Sequence, residues 1–232
     1  MNFSIIVFPG SNCDKDCYDA VSVYDAHKAT YVWYKEEKLP QAECVIIPGG
    51  FSYGDYLRPG AIAKTAPIVN AIKEFAHNGG LVIGICNGFQ ILTEIGLLPG
   101  SLMTNESLKF ICQEVYLKVE TTKTPFTNSY SKNQVIDMPI AHMDGNYFAD
   151  AETLKTLEAN DQIIFRYCEK EGQITEKANP NGSISNIAGI CNKEKNVLGL
   201  MPHPERNIDE LIGSGLGIQV FKSIENSLSS AV

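Results

Sequence analysis

Short unbroken apolar runs at residues 3–8, 44–47 and 81–85 read as buried strands, and 30–34, rich in β formers, reads as another. Between them apolar residues recur at helical spacing. Tyr18, Val21 and Tyr24 follow a loop at 9–12. Ile68, Ile72 and Phe75 share one face of a stretch that Thr65 opens as N-cap, Pro67 supports in its first turn and Gly79-Gly80 ends. A third helical pattern opens at Gly88, directly after the 81–85 run. Strand, helix, strand, strand, helix, strand, helix in this order predicts an α/β fold: a mainly parallel, doubly wound sheet with helices on both faces. Residues 51–59 carry too many Gly, Pro, Ser and Asp residues for regular structure and read as a long loop.

Beyond Pro99-Gly100 the period changes. Residues 108–120 and 134–140 alternate like longer strands with few helices between them, which predicts a small antiparallel extension. Residues 151–160 read as a short helix and 162–168 as a strand, with turns at Asn181-Gly182 and 192–196. A last strand spans 197–201. Gly213, Gly215 and Gly217 then lead into a closing helix with Val220, Phe221, Ile224 and Leu228 as its apolar stripe. At 232 residues and 44% hydrophobic the chain can bury one sizeable core, and a single domain over 1–232 is expected.

A net charge of −8 without any basic run argues against nucleic acid and anionic membrane surfaces as partners. The first apolar run has no basic leader and stops at Pro9-Gly10, far short of a membrane span, so a cytoplasmic protein is expected. Seven cysteines, an odd number without a Cys-x-x-Cys pair, point to a reducing compartment. Cys44, Cys112 and Cys168 lie in apolar runs and are expected to pack. Cys13 and Cys17, four apart, could share a helix face, but no second ligand pair has suitable spacing, and no metal is expected. Phosphate-binding loops of the Gly-x-x-x-x-Gly-Lys and Gly-x-Gly-x-x-Gly kinds are absent, so no nucleotide cofactor is expected in this chain.

The chemistry concentrates at two places. Cys86 stands between the 81–85 strand and the following helix in a Gly-x-Cys-x-Gly pattern, the thiol version of a nucleophile elbow. The helix N-terminus beneath it favours negative charge on the sulfur and leaves the Asn87 N–H to face an oxyanion; Gly49-Gly50, at a neighbouring strand–loop junction, would supply a second N–H. Directly after the last strand, Met201-Pro202-His203-Pro204-Glu205-Arg206 places His203 and Glu205 two residues apart, able to share one face of an extended segment. Nucleophile, general base and base-orienting acid together are the logic of covalent acyl transfer.

The segment Gly84-Ile85-Cys86-Asn87-Gly88-Phe89-Gln90, with Pro48-Gly49-Gly50 upstream and His203-Pro204-Glu205 downstream, resembles the triad (class I) glutamine amidotransferases, which have a flavodoxin-like fold. The run from Pro48 through Arg58, the Leu108 to Cys112 segment, the Pro9 to Asp14 loop and the Met201 to Arg206 segment narrow the resemblance to the family of glutaminase subunits of phosphoribosylformylglycinamidine synthase. By motif the resemblance implies Cys86 as nucleophile, His203 as base, Glu205 as its partner, and the N–H groups of Gly50 and Asn87 as oxyanion hole. It further implies Gln90, His142, Gly145 and Asn146 as substrate-side residues. L-Glutamine would be the substrate. The partners would be an ATP-dependent synthetase subunit, carrying ATP and magnesium, and a small bridging subunit. The chain departs from the family pattern at Met143-Asp144, where Gly-Glu is usual, at Gln113, where arginine is common, and at Pro59, where a small residue is common. Two rival readings stand beside this one: a cysteine hydrolase acting on another γ-glutamyl amide, and a non-catalytic α/β scaffold.

Overall fold

The computed structural model describes residues 1–23, 27–211 and 213–229. In chain order the first half holds β1 (Asn2–Val7), α1 (Asp14–Ser22), β2 (Lys28–Trp33), β3 (Cys44–Ile47), α2 (Ile68–His77), β4 (Leu81–Ile85) and α3 (Asn87–Glu94). The second half holds β5 (Ser101–Met103), β6 (Ile111–Val119), β7 (Val135–His142), β8 (Asn146–Phe148), α4 (Ala151–Ala159), β9 (Ile163–Cys168), β10 (Ile187–Cys191), β11 (Val197–Leu200) and α5 (Ile218–Ser229).

Nine strands form one sheet in the order β2-β1-β3-β4-β11-β10-β9-β6-β7, and β5 pairs with β8 in a separate ribbon. The first five strands run parallel, as the alternation of strands and helices predicts. The crossovers leave the β1/β3 boundary in opposite directions, which by the right-handed rule for parallel strands assigns α1 to one face and α2 with α3 to the other, while α5 packs beside α1. Every residue of β3 and β4 is buried, because strands covered on both faces need no polar side. The antiparallel extension is continuous with this sheet. It is built on the β6–β7 pairing, where Ile111 faces His142 and Lys118 faces Val135, and β6 pairs in turn with β9.

Some local expectations change. Helix α2 starts at Ile68 with Pro67 as its cap, and residues 63–65 form a separate 3-10 turn, where the Thr65 hydroxyl donates to the Ile62 carbonyl at 2.8 Å. Thr65 therefore caps nothing, its side chain being spent on the preceding turn. On α1 the buried face is Cys17, Ala20 and Val21, while Tyr18 is exposed and stacks on Tyr31; Tyr24 lies outside the described residues. Cys112 is exposed on β6, on the polar side of an alternating strand, whereas Cys44 and Cys168 are buried. All seven cysteines are free thiols. Among the described residues no helix is long and apolar enough to cross a membrane.

The parallel strands bring four chain segments to one edge. β1, β3, β4 and β11 end at Val7, Ile47, Ile85 and Leu200, so the 9–13 loop, the Gly49-Gly50 junction, Cys86 and the 201–206 segment converge there. This is the carboxyl edge beside the topological switch point, where sheets of this kind place their ligands.

Candidate active site

Cys86 occupies the turn between β4 and α3 with φ 51° and ψ −103°, a backbone conformation that costs a side-chain-bearing residue about 1–3 kcal/mol. The flanking glycines make this turn possible. A Cβ on Gly84 would lie 2.6 Å from the Gly88 backbone, and one on Gly88 would lie 1.9 Å from the Ile47 carbonyl oxygen. Helix α3 thus rests directly on β3 and β4, and the Cys86 N–H donates to the Leu200 carbonyl at 2.8 Å, tying the elbow to β11.

From β11 the chain runs into the second half of the site. The His203 N–H donates to the Pro139 carbonyl of β7 at 2.9 Å, and residues Pro204–Arg206 form a 3-10 turn rather than the extended segment the prolines suggested. That turn brings Glu205 back onto His203: Oε1 lies 2.7 Å from Nδ1, and both side chains are buried. Burial works against a charge on His203. The Glu205 carboxylate, helped by the sulfurs of Cys86 and Cys13, outweighs it and holds the imidazole well above its ordinary pKa. With Nδ1 engaged by the carboxylate, the buried Nε2 is left to the sulfurs of Cys13 and Cys86.

Around the elbow lies a cavity of about 140 Å³ whose walls include Cys86, His203, Gly50, Phe51, Phe110 and the Ala141 backbone. A roomier cavity of about 590 Å³, beside Leu97, Leu157 and Lys193, has no cysteine or histidine in its walls. The smaller one has the chemistry. The Cys86 thiol donates to the Ala141 carbonyl at 3.7 Å. Gly50 adopts φ 150°, and a Cβ there would meet the Gly10 carbonyl at 2.6 Å. Its bridge to Ser11 is made by its neighbours, with Phe51 N–H donating to Gly10 and Asn12 N–H to Gly49, so among the described residues the Gly50 N–H has no acceptor. The Asn87 N–H, first in α3, has none within its helix.

The expected substrate-side residues take other positions. Gln90 is buried with its amide committed: Oε1 accepts from Asn87 Nδ2 at 2.8 Å, and Nε2 donates to the Asp144 carbonyl at 2.6 Å. Asn87 Oδ1 in turn accepts from the Ser52 N–H at 3.1 Å, so one chain of bonds joins the 51–55 loop, α3 and the 141–147 segment. His142 turns beneath that segment, 3.1 Å from Asn105 Oδ1 and 3.5 Å from Asn181 Nδ2, and burial pushes its pKa down to about 4. Gly145 packs against the His142 ring and donates its N–H to Asn105, while Asn146 opens β8 opposite Met103. His142, Gly145 and Asn146 therefore do not line the cavity. It is the Ala141 carbonyl, on the edge strand β7, that faces the sulfur. Met143 adopts no positive φ, so the position where the family usually has glycine makes no demand for one here.

Of the cavity residues that the sequence reading did not assign, two carry chemistry of their own. Cys13 lies at the start of α1, facing His203 rather than sharing a metal-binding face with Cys17, and Arg206 donates to its sulfur at 3.1 Å and to Asp16 at 3.0 Å. The available signal was position: Cys13 follows the carboxyl end of β1, next to β3 in the same sheet.

Comparison with known proteins places this geometry. Residues 1–217 match the CobB/CobQ-like glutamine amidotransferase domain. The chain is 52% identical over 229 residues to the phosphoribosylformylglycinamidine synthase subunit PurQ of Koribacter versatilis, covering 99% of each chain. It is 56% identical over 224 residues to that of Moorella thermoacetica, covering 97% of this chain and 95% of the relative. Among solved structures, a chain of PurLQS from Thermotoga maritima superposes with a TM-score of 0.86 at 46% identity over 98% of both chains. A glutamine amidotransferase from Thermotoga maritima at 14% identity shares the fold, with a TM-score of 0.57 over 100% of this chain and 85% of that one. An elbow cysteine beside a carboxylate-held histidine, in a chain related over its whole length to these proteins, makes it a member of the CobB/CobQ-like glutamine amidotransferase family.

Proposed function

We propose that this chain, as one domain over residues 1–232, is the glutaminase subunit of phosphoribosylformylglycinamidine synthase. The Cys86 sulfur attacks the carboxamide carbon of L-glutamine, and the oxyanion forms against the N–H groups of Gly50 and Asn87. His203, oriented by Glu205, gives a proton to the departing ammonia, leaving a glutamyl thioester on Cys86. Water, deprotonated by His203, then attacks the thioester and releases glutamate. Gln90 acts through its bonds to Asn87 and Asp144, shaping the wall that meets the glutamine, and His142, Gly145 and Asn146 brace that wall from behind.

Ammonia released into neutral water would be protonated and lose its nucleophilicity, so it passes to an ATP-dependent synthetase subunit. There it converts formylglycinamide ribonucleotide to formylglycinamidine ribonucleotide, a step of purine biosynthesis in the cytoplasm. ATP and magnesium belong to that subunit, and a small bridging subunit completes the assembly. The near-complete overlap with a chain of the PurLQS structure is the observation that carries this reading. The 53–58 loop suits a partner contact, since Tyr56 and Leu57 are exposed beside the Gly50 junction.

Incubation with a diazo-ketone analogue of glutamine tests the reading. One adduct on Cys86, suppressed by excess glutamine, is expected by peptide mass; no adduct with or without the synthetase subunit would overturn it in favour of the scaffold or another hydrolase.

A further inference from the structure

Cys13 takes no part in the reaction derived above, yet its sulfur sits against the base. The Cys13 Sγ, a ring nitrogen of His203 and a carboxylate oxygen of Glu205 lie within 4.8 Å of one another, and all three residues are buried. The sulfur is firmly held. The Cys13 N–H donates to the Gly49 carbonyl at 3.2 Å and the thiol donates to Asn12 Oδ1 at 3.1 Å. The Arg206 guanidinium, itself anchored on Asp16 at 3.0 Å, donates to Sγ at 3.1 Å. A Cβ on Gly49 would stand 2.8 Å from His203 Cε1, 3.0 Å from Cys13 Sγ and 3.5 Å from Cys86 Cβ, so a side chain at 49 would part both cysteines from the ring.

Before attack, the Nε2–H of the His203 imidazolium has the Cys86 sulfur as a partner. Once that sulfur is joined to the glutamine carbon it has lost its negative charge and is a poor acceptor. At that moment the ring must stay protonated and aimed at the amide nitrogen. The second sulfur beside Nε2 is Cys13. We propose that Cys13 is a positioning residue for the general acid: its sulfur, fixed by Arg206 and Asn12, accepts the His203 Nε2–H after Cys86 has been taken up by the substrate. The ring is then oriented from both ends, by Glu205 at Nδ1 and by Cys13 at Nε2. The proton passes from Nε2 to the nitrogen as the C–N bond breaks, and Cys13 neither gains nor loses one. A thiol suits this place. Burial pushes the Cys13 thiol up from its ordinary range, so it stays neutral, and a neutral sulfur is a far weaker base than the departing amine and yields the Nε2–H to it. This inference deepens the glutaminase reading and rests on it.

The groups that face His203 are Cys13 at the head of α1 with Arg206 behind it, Cys86 at the head of α3, Glu205 of its own turn and His142 from β7, and the test isolates one of them. In the full chain carrying Cys86→Ala, Cys13 is the one sulfur left beside Nε2, and NMR follows the His203 ring against pH. Adding Cys13→Ala should lower the His203 titration midpoint by about one pH unit, because the charged ring loses its acceptor and burial is less opposed. Cys13→Ser, which keeps a donor and an acceptor, should restore most of it. With Cys86 intact and the synthetase subunit present, Cys13→Ala should lower kcat for glutamine roughly 10-fold with little change in KM. The alkaline limb of the kcat profile should move to lower pH, and Cys13→Ser should recover most of the rate. A His203 midpoint that stays in place in Cys13→Ala would overturn the proposal. So would a fall in kcat that serine does not relieve and that leaves the pH profile unmoved, since packing alone would then account for Cys13. Because the titration needs no turnover, a midpoint that moves in a chain that never hydrolyses glutamine would refute the function and leave the contact standing.

Discussion

Glu205 Oε1 lies 2.7 Å from His203 Nδ1 with both residues only 2% exposed, so this charge interaction is closed off from water. An isolated buried imidazolium is costly, and this one is held by the carboxylate. Glu205→Gln should keep the fold but lower turnover of glutamine roughly 10²–10⁴-fold. The His203 imidazole should then titrate lower, since burial is opposed only by the sulfurs of Cys86 and Cys13. Steady-state kinetics and histidine NMR on the same variant check both.

Gly88→Ala should destabilise without touching the chemistry directly. Its Cβ would be driven to 1.9 Å from the Ile47 carbonyl, forcing α3 off β3. A loss of roughly 1–3 kcal/mol is expected from such overpacking, read as a lower urea midpoint, together with reduced labelling of Cys86 as the elbow shifts.

Asn105, fully buried, donates to the His142 and Lys109 carbonyls at 2.9 Å each and accepts from Gly145 N–H at 3.0 Å. Asn105→Ala leaves these groups unpaired and should cost about 2–3 kcal/mol. The denaturant midpoint should fall with an unchanged m-value.

His142 should make the protein acid-labile. Its folded pKa of about 4 lies below its ordinary 6.5, so the stability it contributes is fully present above pH 6.5 and is lost as pH falls toward 4. Relative to the parent, His142→Gln should lose less stability between pH 7 and pH 5, measured by chemical denaturation at each pH.

Asp55 should act with the opposite sign. Burial, with Asp144 nearby, raises its folded pKa to about 6 from 3.8, so its contribution is present below pH 3.8 and is lost as pH rises through 6. Asp55→Asn should therefore gain in melting temperature over the parent on going from pH 4 to pH 7.

Much of this protein was legible in its sequence because the governing physics is local. The 44–47 and 81–85 runs are strands buried on both faces, and Gly-x-Cys-x-Gly admits the positive φ that Cys86 adopts. The family resemblance, carried by contiguous motifs, led to the same function. What only the tertiary structure decided is which side chains meet. His142 reads like a site residue yet its ring turns under the loop to Asn105, and it is the Ala141 carbonyl of the edge strand that meets the Cys86 sulfur. Cys13 looks like a partner for Cys17, yet the short β1 loop and the β1–β3 pairing deliver its sulfur to His203, 190 residues further along the chain. Periodicity and motif are properties of neighbouring residues in the chain, whereas convergence at a sheet edge is a property of strand order. No local signal in this chain specified that β11 would lie beside β4 and bring His203 to Cys86.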